Sequence, residues 1–178
     1  MKKLIFMLSA YLFVGQFACA TELETILKVS KTINEKNILH YKVSFEPSRC
    51  ELSGELVAEW KMDEDEGQWK SLNESMKMIR KPLTAEIISS SSDEIVFSTP
   101  SMEDLKSRGV LDESRVSIRI SPGANQTCDI QTLAMVEGEL VEVSRLHSKV
   151  SMFGSVKWVE VHGLTLDGEK IRKRFSNK

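Results

Sequence analysis

Ile38-Leu39-His40-Tyr41-Lys42-Val43-Ser44-Phe45 alternates apolar and polar residues from Leu39 onward. Leu39, Tyr41, Val43 and Phe45 fall on one side, His40, Lys42 and Ser44 on the other. Successive side chains of an extended chain point to opposite faces, so this stretch predicts a strand with one face in a core and one in water. Glu55 to Met62 repeats the pattern, with Leu56, Ala58, Trp60 and Met62 inward and Glu55, Glu59 and Lys61 outward. Arg115 to Ile120 does so again through Val116, Ile118 and Ile120. Leu83 to Ile88 and Glu94 to Thr99 read as two strands around the turn Ser89–Ser92. Ser121 to Asn125 reads as a loop leading to Cys128, and Glu137-Gly138 as a tight hairpin. Val156 to Val161 opens the last unit, where Asp167-Gly168 predicts a two-residue hairpin into Ile171–Phe175.

Helical signals are confined to two short stretches. Ser71-Leu72-Asn73-Glu74 has capping-box spacing ahead of Met76 and Ile79, and Pro82 ends that run. Pro100 to Arg108 is closed by Gly109. Eight to ten short strands without a fixed repeat or a linker predict a mainly β protein, a single antiparallel β-sandwich or barrel-like domain with one or two short helices. The chain's 178 residues suit one domain, and 41% hydrophobic with 28% charged residues argues against disorder.

The first twenty residues read as a secretory signal peptide. Lys2 and Lys3 precede an apolar run from Leu4 to Val14, and Ala18-Cys19-Ala20 supplies small residues at a cleavage site. The run is shorter than the roughly 20 residues of a membrane-spanning helix. The expected organisation is therefore a leader over 1–20 and one β-rich domain over 21–178, periplasmic or secreted, with no transmembrane segment in the mature chain. The competing reading is a lipid anchor at Cys19; Ala18 suits it, whereas Phe17 and Gln16 depart from the lipoprotein pattern. Cleavage after Ala20 leaves 158 of the 178 residues and removes two lysines, moving the net charge from −2 to −4. That balance speaks against a nucleic-acid partner.

Cys50 and Cys128 remain in the mature chain, an even pair that predicts a disulfide in an exported protein. The alternative is two buried free thiols. The acidic tip Asp63 to Glu66 carries oxygen ligands, but Gly67 is the fifth residue from Asp63 where an EF-hand loop needs its glycine at the sixth, so no calcium site is expected. His40, His147 and His162 lie on separate strands without metal-ligand spacing, and no metal or cofactor is expected. Nucleophile-elbow, zinc-protease, dinucleotide and phosphate-loop motifs are absent, which leans away from an enzyme. Lys170, Arg172 and Arg174 alternate along the last strand, with Trp69 as a further exposed-aromatic candidate. Two readings stand for these cations: protection of an exposed sheet edge, which is the plainer one, or a patch for an anionic partner. Trp60 and Trp158 are expected in the core.

Two ends of the chain resemble a family catalogued only as domain of unknown function 4833. Ser30, Asn34, Asn37 and Tyr41 resemble its opening segment, and Trp158, Glu160, Gly163, Gly168 and Glu169 its closing pattern, with Trp60 between. The resemblance covers about residues 26 to 175 and implies a bacterial exported domain. It implies no activity and brings no catalytic or binding residues. The expected function is a non-catalytic binding or scaffolding module of the bacterial envelope, with an envelope protein, an anionic lipid or an acidic polysaccharide as partner. The alternative is an exported hydrolase whose site gathers distant histidines and carboxylates.

Overall fold

A computed structural model describes residues 21–31, 38–61, 70–71, 84–150 and 156–176. The strands are β1 (Glu22–Lys31), β2 (Ile38–Glu46), β3 (Glu51–Lys61), β4 (Lys70–Ser71), β5 (Glu86–Ser90) and β6 (Glu94–Ser98). After helix α1 (Pro100–Ser107) come β7 (Val116–Pro122), β8 (Cys128–Val136), β9 (Glu139–Val150), β10 (Val156–Thr165) and β11 (Lys170–Ser176). They form one sheet in the order β4-β3-β2-β1-β9-β8-β7-β6-β5, with β10 paired to β9 and β11 paired to β10.

β9 organises the sheet because it is long enough to serve three neighbours. Glu139–Glu142 pair with β8, Arg145–Ser148 pair with β1, and the opposite edge of β9 runs along β10. Thr132 on β8 donates to the Ile26 carbonyl of β1 at 2.9 Å, bridging the fork where the two strands part. The β1–β9 pairing is parallel, which corrects the expectation of a wholly antiparallel sheet. Parallel neighbours need a long connection, and here most of the chain lies between the two strands. β1 itself was not foreseen, since Glu22–Lys31 carries a bulge between Thr25 and Leu27 that breaks its alternation.

The sheet curls until its far strands meet, giving a nearly barrel-shaped molecule. Leu52 N–H on β3 donates to the Ser92 carbonyl in the β5–β6 turn at 2.7 Å. Cys50, in the β2–β3 turn, is disulfide-bonded to Cys128 at the start of β8, across 78 residues and a Cα–Cα distance of 5.4 Å. The predicted alternation of β2 faces inward as expected, with Leu39, Tyr41, Val43 and Phe45 all buried. Tyr41 packs on Phe97 with ring centroids 5.6 Å apart. Burial drives the Tyr41 phenol pKa up, against a hydrogen bond with Thr99 that pulls it down. Thr99 also caps α1 by accepting from Met102 N–H at 3.2 Å, and Pro100 stands in the first turn. Gly109 follows in the left-handed region at φ +68, as its role in closing the helix requires. The first predicted helix, apart from Ser71 at the end of β4, lies outside the described residues.

Two local readings are corrected. Strand β7 runs on to Pro122, so the loop before Cys128 is shorter than expected and contains a single 3-10 turn, Ala124–Gln126. The last hairpin has a three-residue loop in place of a two-residue one. Gly168 N–H bonds to the Thr165 carbonyl and Thr165 N–H to the Glu169 carbonyl, both at 2.9 Å, while Gly168 takes φ +83.

Candidate functional site

The one-residue difference in that hairpin decides what Glu160 faces. A two-residue loop would set Glu160 opposite Phe175; the observed loop sets it opposite Arg174, and His162 opposite Arg172. Glu160 points away from the core, yet its side chain is only 4% exposed because its neighbours fold over it. Arg172 Nε donates to one carboxylate oxygen at 2.8 Å, and His162 Nε2 lies 2.7 Å from the same oxygen. Arg174 donates to the other oxygen through Nη2 at 2.9 Å and Nε at 3.2 Å. Burial alone would raise the carboxyl pKa. The hydrogen bonds from Arg172, Arg174 and His162, with the charge of Arg172, reverse that and hold it at about 2.

Trp158 and His147 complete the surround. The Arg174 guanidinium lies 4.4 Å from the centre of the Trp158 ring, and the His147 ring is 5.4 Å from it. Trp158 is therefore half-buried on the outer face and not a core residue, as its alternation with Val159 and Val161 dictates. His147 Nδ1 is 2.7 Å from Ser30 Oγ, and Arg145 Nη2 donates to that oxygen at 3.2 Å. Gly163 makes the turn of register here possible. A Cβ at this position would sit 2.1 Å from the Glu142 carbonyl, so the close approach of β10 to β9 admits no side chain.

The register extends the site across the sheet. Glu59, His40, Lys28, Arg145, His162 and Arg172 oppose one another in sequence along β3, β2, β1, β9, β10 and β11. Opposed residues share a face, so this row puts the cations Lys28, Arg145 and Arg172 of three different strands on one surface, with His40 and His162 among them. A second row, Ser30–His147–Glu160–Arg174, runs beside it. All three histidines of the chain lie on this face. His40 has its pKa lowered, first by burial and then by Lys28 and Lys42, against the opposing pull of Glu59. Lys173, on the other side of β11, pairs with Glu137 at 3.2 Å and Glu139 at 3.5 Å.

Of the residues singled out in the sequence, Lys170, Arg172 and Arg174 share one face of β11, which pairs only with β10. Trp69, the acidic tip Asp63 to Glu66, Cys19 and Ala20 lie outside the described residues. Glu160, Ser30, Lys28 and Arg145 were not recognised as site residues. The signal for Glu160 was present in the Glu-x-His of one hairpin arm and the Arg-x-Arg of the other, but reading it requires the correct loop length. Among the described residues no group of three or more His, Cys, Asp or Glu is placed to hold a metal ion. A cleft of about 580 Å³ opens between β5 and α1, and one of about 280 Å³ lies over β6–β8; neither is lined by a histidine. No helix among the described residues is long and apolar enough to cross a membrane. Comparison with known proteins finds no matching family model, curated protein or solved structure.

Proposed function

We propose that this chain is an exported, non-catalytic binding module that holds an anionic component of the bacterial envelope on the outer face of β1, β9, β10 and β11. The observation that carries the reading is the carboxylate of Glu160, buried beneath two arginines that remain 66% and 51% exposed. Such an arrangement fixes the guanidinium groups while leaving part of each planar fork turned to solvent. A preorganised fork binds carboxylate or phosphate with less loss of side-chain freedom than a mobile lysine does. Edge protection accounts for charge on β11, but not for cations on β1 and β9, which are interior strands. The chain as a whole is acidic at −2, so this face is a local reversal of sign and can steer an anion to one surface.

Reversing the charge of Lys170, Arg172 and Arg174 should release the protein from the envelope fraction at low salt. Because two of these side chains also bind Glu160, the companion variant Lys28→Glu keeps that cluster whole and should act in the same direction. Unchanged fractionation of both variants, each still folded by circular dichroism, would sink the reading.

A hydrolase is the second reading, since His147 and His162 flank Glu160. Three features oppose it. Ser30, the hydroxyl beside His147, is 2% exposed. Arg145 donates to its oxygen. Glu160, held at about 2, is poorly matched to proton transfer near neutrality. Turnover of an ester or glycoside substrate that disappears in both His147→Ala and His162→Ala would establish the hydrolase instead.

A further inference from the structure

The anion-binding face has a direction. Its main row crosses the strands at right angles, from Lys28 on β1 through Arg145 on β9 and His162 on β10 to Arg172 on β11. Neighbouring strands are about 4.8 Å apart, so positions along the row repeat at about that spacing and span about 14 Å from β1 to β11. A single small anion would use one position and leave the others idle. A linear polymer with one negative group per unit, each unit close to a strand spacing in length, can meet them in succession.

The side chains on this face select among polyanions. Trp158, the aromatic of the cluster, already has Arg174 over its ring and His147 against it, so it offers no open platform for stacking bases. Of the exposed large hydrophobic residues, Ile87, Ile88 and Leu166 lie outside the two rows, and Leu23 lies five residues along β1 from Lys28. Among the described residues the rows therefore present no apolar anchor for a bilayer or for an amphipathic protein segment. What they present is planar guanidinium hydrogen-bonding capacity beside imidazole groups, which suits carboxylates and sugar hydroxyls.

We propose that this face binds a linear acidic polysaccharide, a polymer of uronic acid units, laid across β1, β9, β10 and β11 with its carboxylates meeting Lys28, Arg145 and Arg172 and one unit passing over His162 on β10. This rests on the anion-binding function proposed above and adds the ligand class and its orientation. Glu160 takes the part of a positioning residue. It holds Arg172 and Arg174 against the sheet so that their outer edges align with the row, and it does not itself contact the ligand.

The test titrates the full chain, oxidised and folded, by calorimetry against four probes: polygalacturonate, the same polymer fully methyl-esterified, polyphosphate of matched charge, and phosphatidylglycerol vesicles. Polygalacturonate should bind most tightly and its ester not at all. Affinity for oligogalacturonates should climb with length until about four sugars, one for each strand from β1 to β11, and change little beyond. Lys28→Glu combined with Lys170→Glu should weaken polygalacturonate at least about tenfold without moving the melting temperature, whereas Arg115→Glu combined with Arg119→Glu should not weaken it. If none of the four probes binds, both this proposal and the anion-binding function fail. If vesicles or polyphosphate bind at least as tightly as polygalacturonate through Lys28 and Lys170, the function stands and the polysaccharide is overturned. Undiminished binding of the methyl ester, a continued rise in affinity per sugar beyond four, or equal weakening by the Arg115 and Arg119 reversals also overturns it.

Discussion

Two arginine-bearing surfaces of this sheet invite comparison. On β6 and β7, Arg119 pairs with Glu94 at 2.8 Å, and just before β7 Arg115 pairs with Glu113 at 2.5 Å. Each cation has its own carboxylate, and those carboxylates are 34% and 44% exposed. Water can replace either partner, so such pairs contribute little to stability. On β10 and β11 two arginines and a histidine share one carboxylate that is 4% exposed. Removing that acid would strand the arrangement, and the cations exceed it in number. Ion pairing alone therefore does not mark a binding surface. What sets the β10–β11 surface apart, and what the proposed anion binding rests on, is the burial of the minority charge and the exposure of the majority charge.

The contrast depends on the curled sheet that holds both surfaces, so the largest effect comes from opening it. Cys50→Ser with Cys128→Ser should cost about 4 kcal/mol, from the freedom regained by a long loop in the unfolded chain. Thermal melts with and without reductant measure it, and an unchanged midpoint on reduction would show that the staple is idle. Next, Glu160→Gln should destabilise by about 3 kcal/mol near neutral pH, as loss of one member of a buried ionic cluster does, measured by urea unfolding. The corresponding change for Glu94→Gln should stay below about 1 kcal/mol.

Acid sharpens the same contrast. The Glu160 carboxyl is held at about 2 in the folded protein against an ordinary value of 4.5, so the unfolded chain takes up the proton first. Its stabilisation is complete above 4.5 and fades as the pH falls towards 2. The stability gap between the native protein and Glu160→Gln should close over that range; a constant gap would mean that the charge of Glu160 is not what stabilises. The smallest effect concerns His40, whose pKa is lowered mainly by burial. A base with a depressed folded value loses stability as the pH drops below its ordinary 6.5, and His40→Gln should remove a small part of that slope.

Most of the sheet was legible along the chain. Leu39, Tyr41, Val43 and Phe45 lie buried where their alternation placed them, and α1 begins and ends at its Thr99–Pro100 and Gly109 signals. The Cys50–Cys128 bridge is the pairing that an even number of cysteines after residue 20 led us to expect. Two of the misses share a cause. β1 escaped because its bulge breaks the two-residue period, and the last hairpin was mispaired because one extra loop residue moves every side chain to the other face. Trp158 was assigned to the core on its apolar neighbours, whereas Val159 and Val161 take the buried face and leave Trp158 on the other.

Local chemistry along the chain is sufficient to specify a β-rich domain, its short helix and its cross-link, because alternation, capping and turn preferences act over a few residues. Which charges meet is settled at longer range. Ser30 lies beside His147, and Lys28 beside Arg145, only because β1 and β9 pair in parallel across more than a hundred residues of chain. No local pattern encodes that pairing; it follows from burying both strands in one curled sheet. The cationic row from β1 to β11 is a consequence of that pairing, whereas Glu160 is covered by its own hairpin.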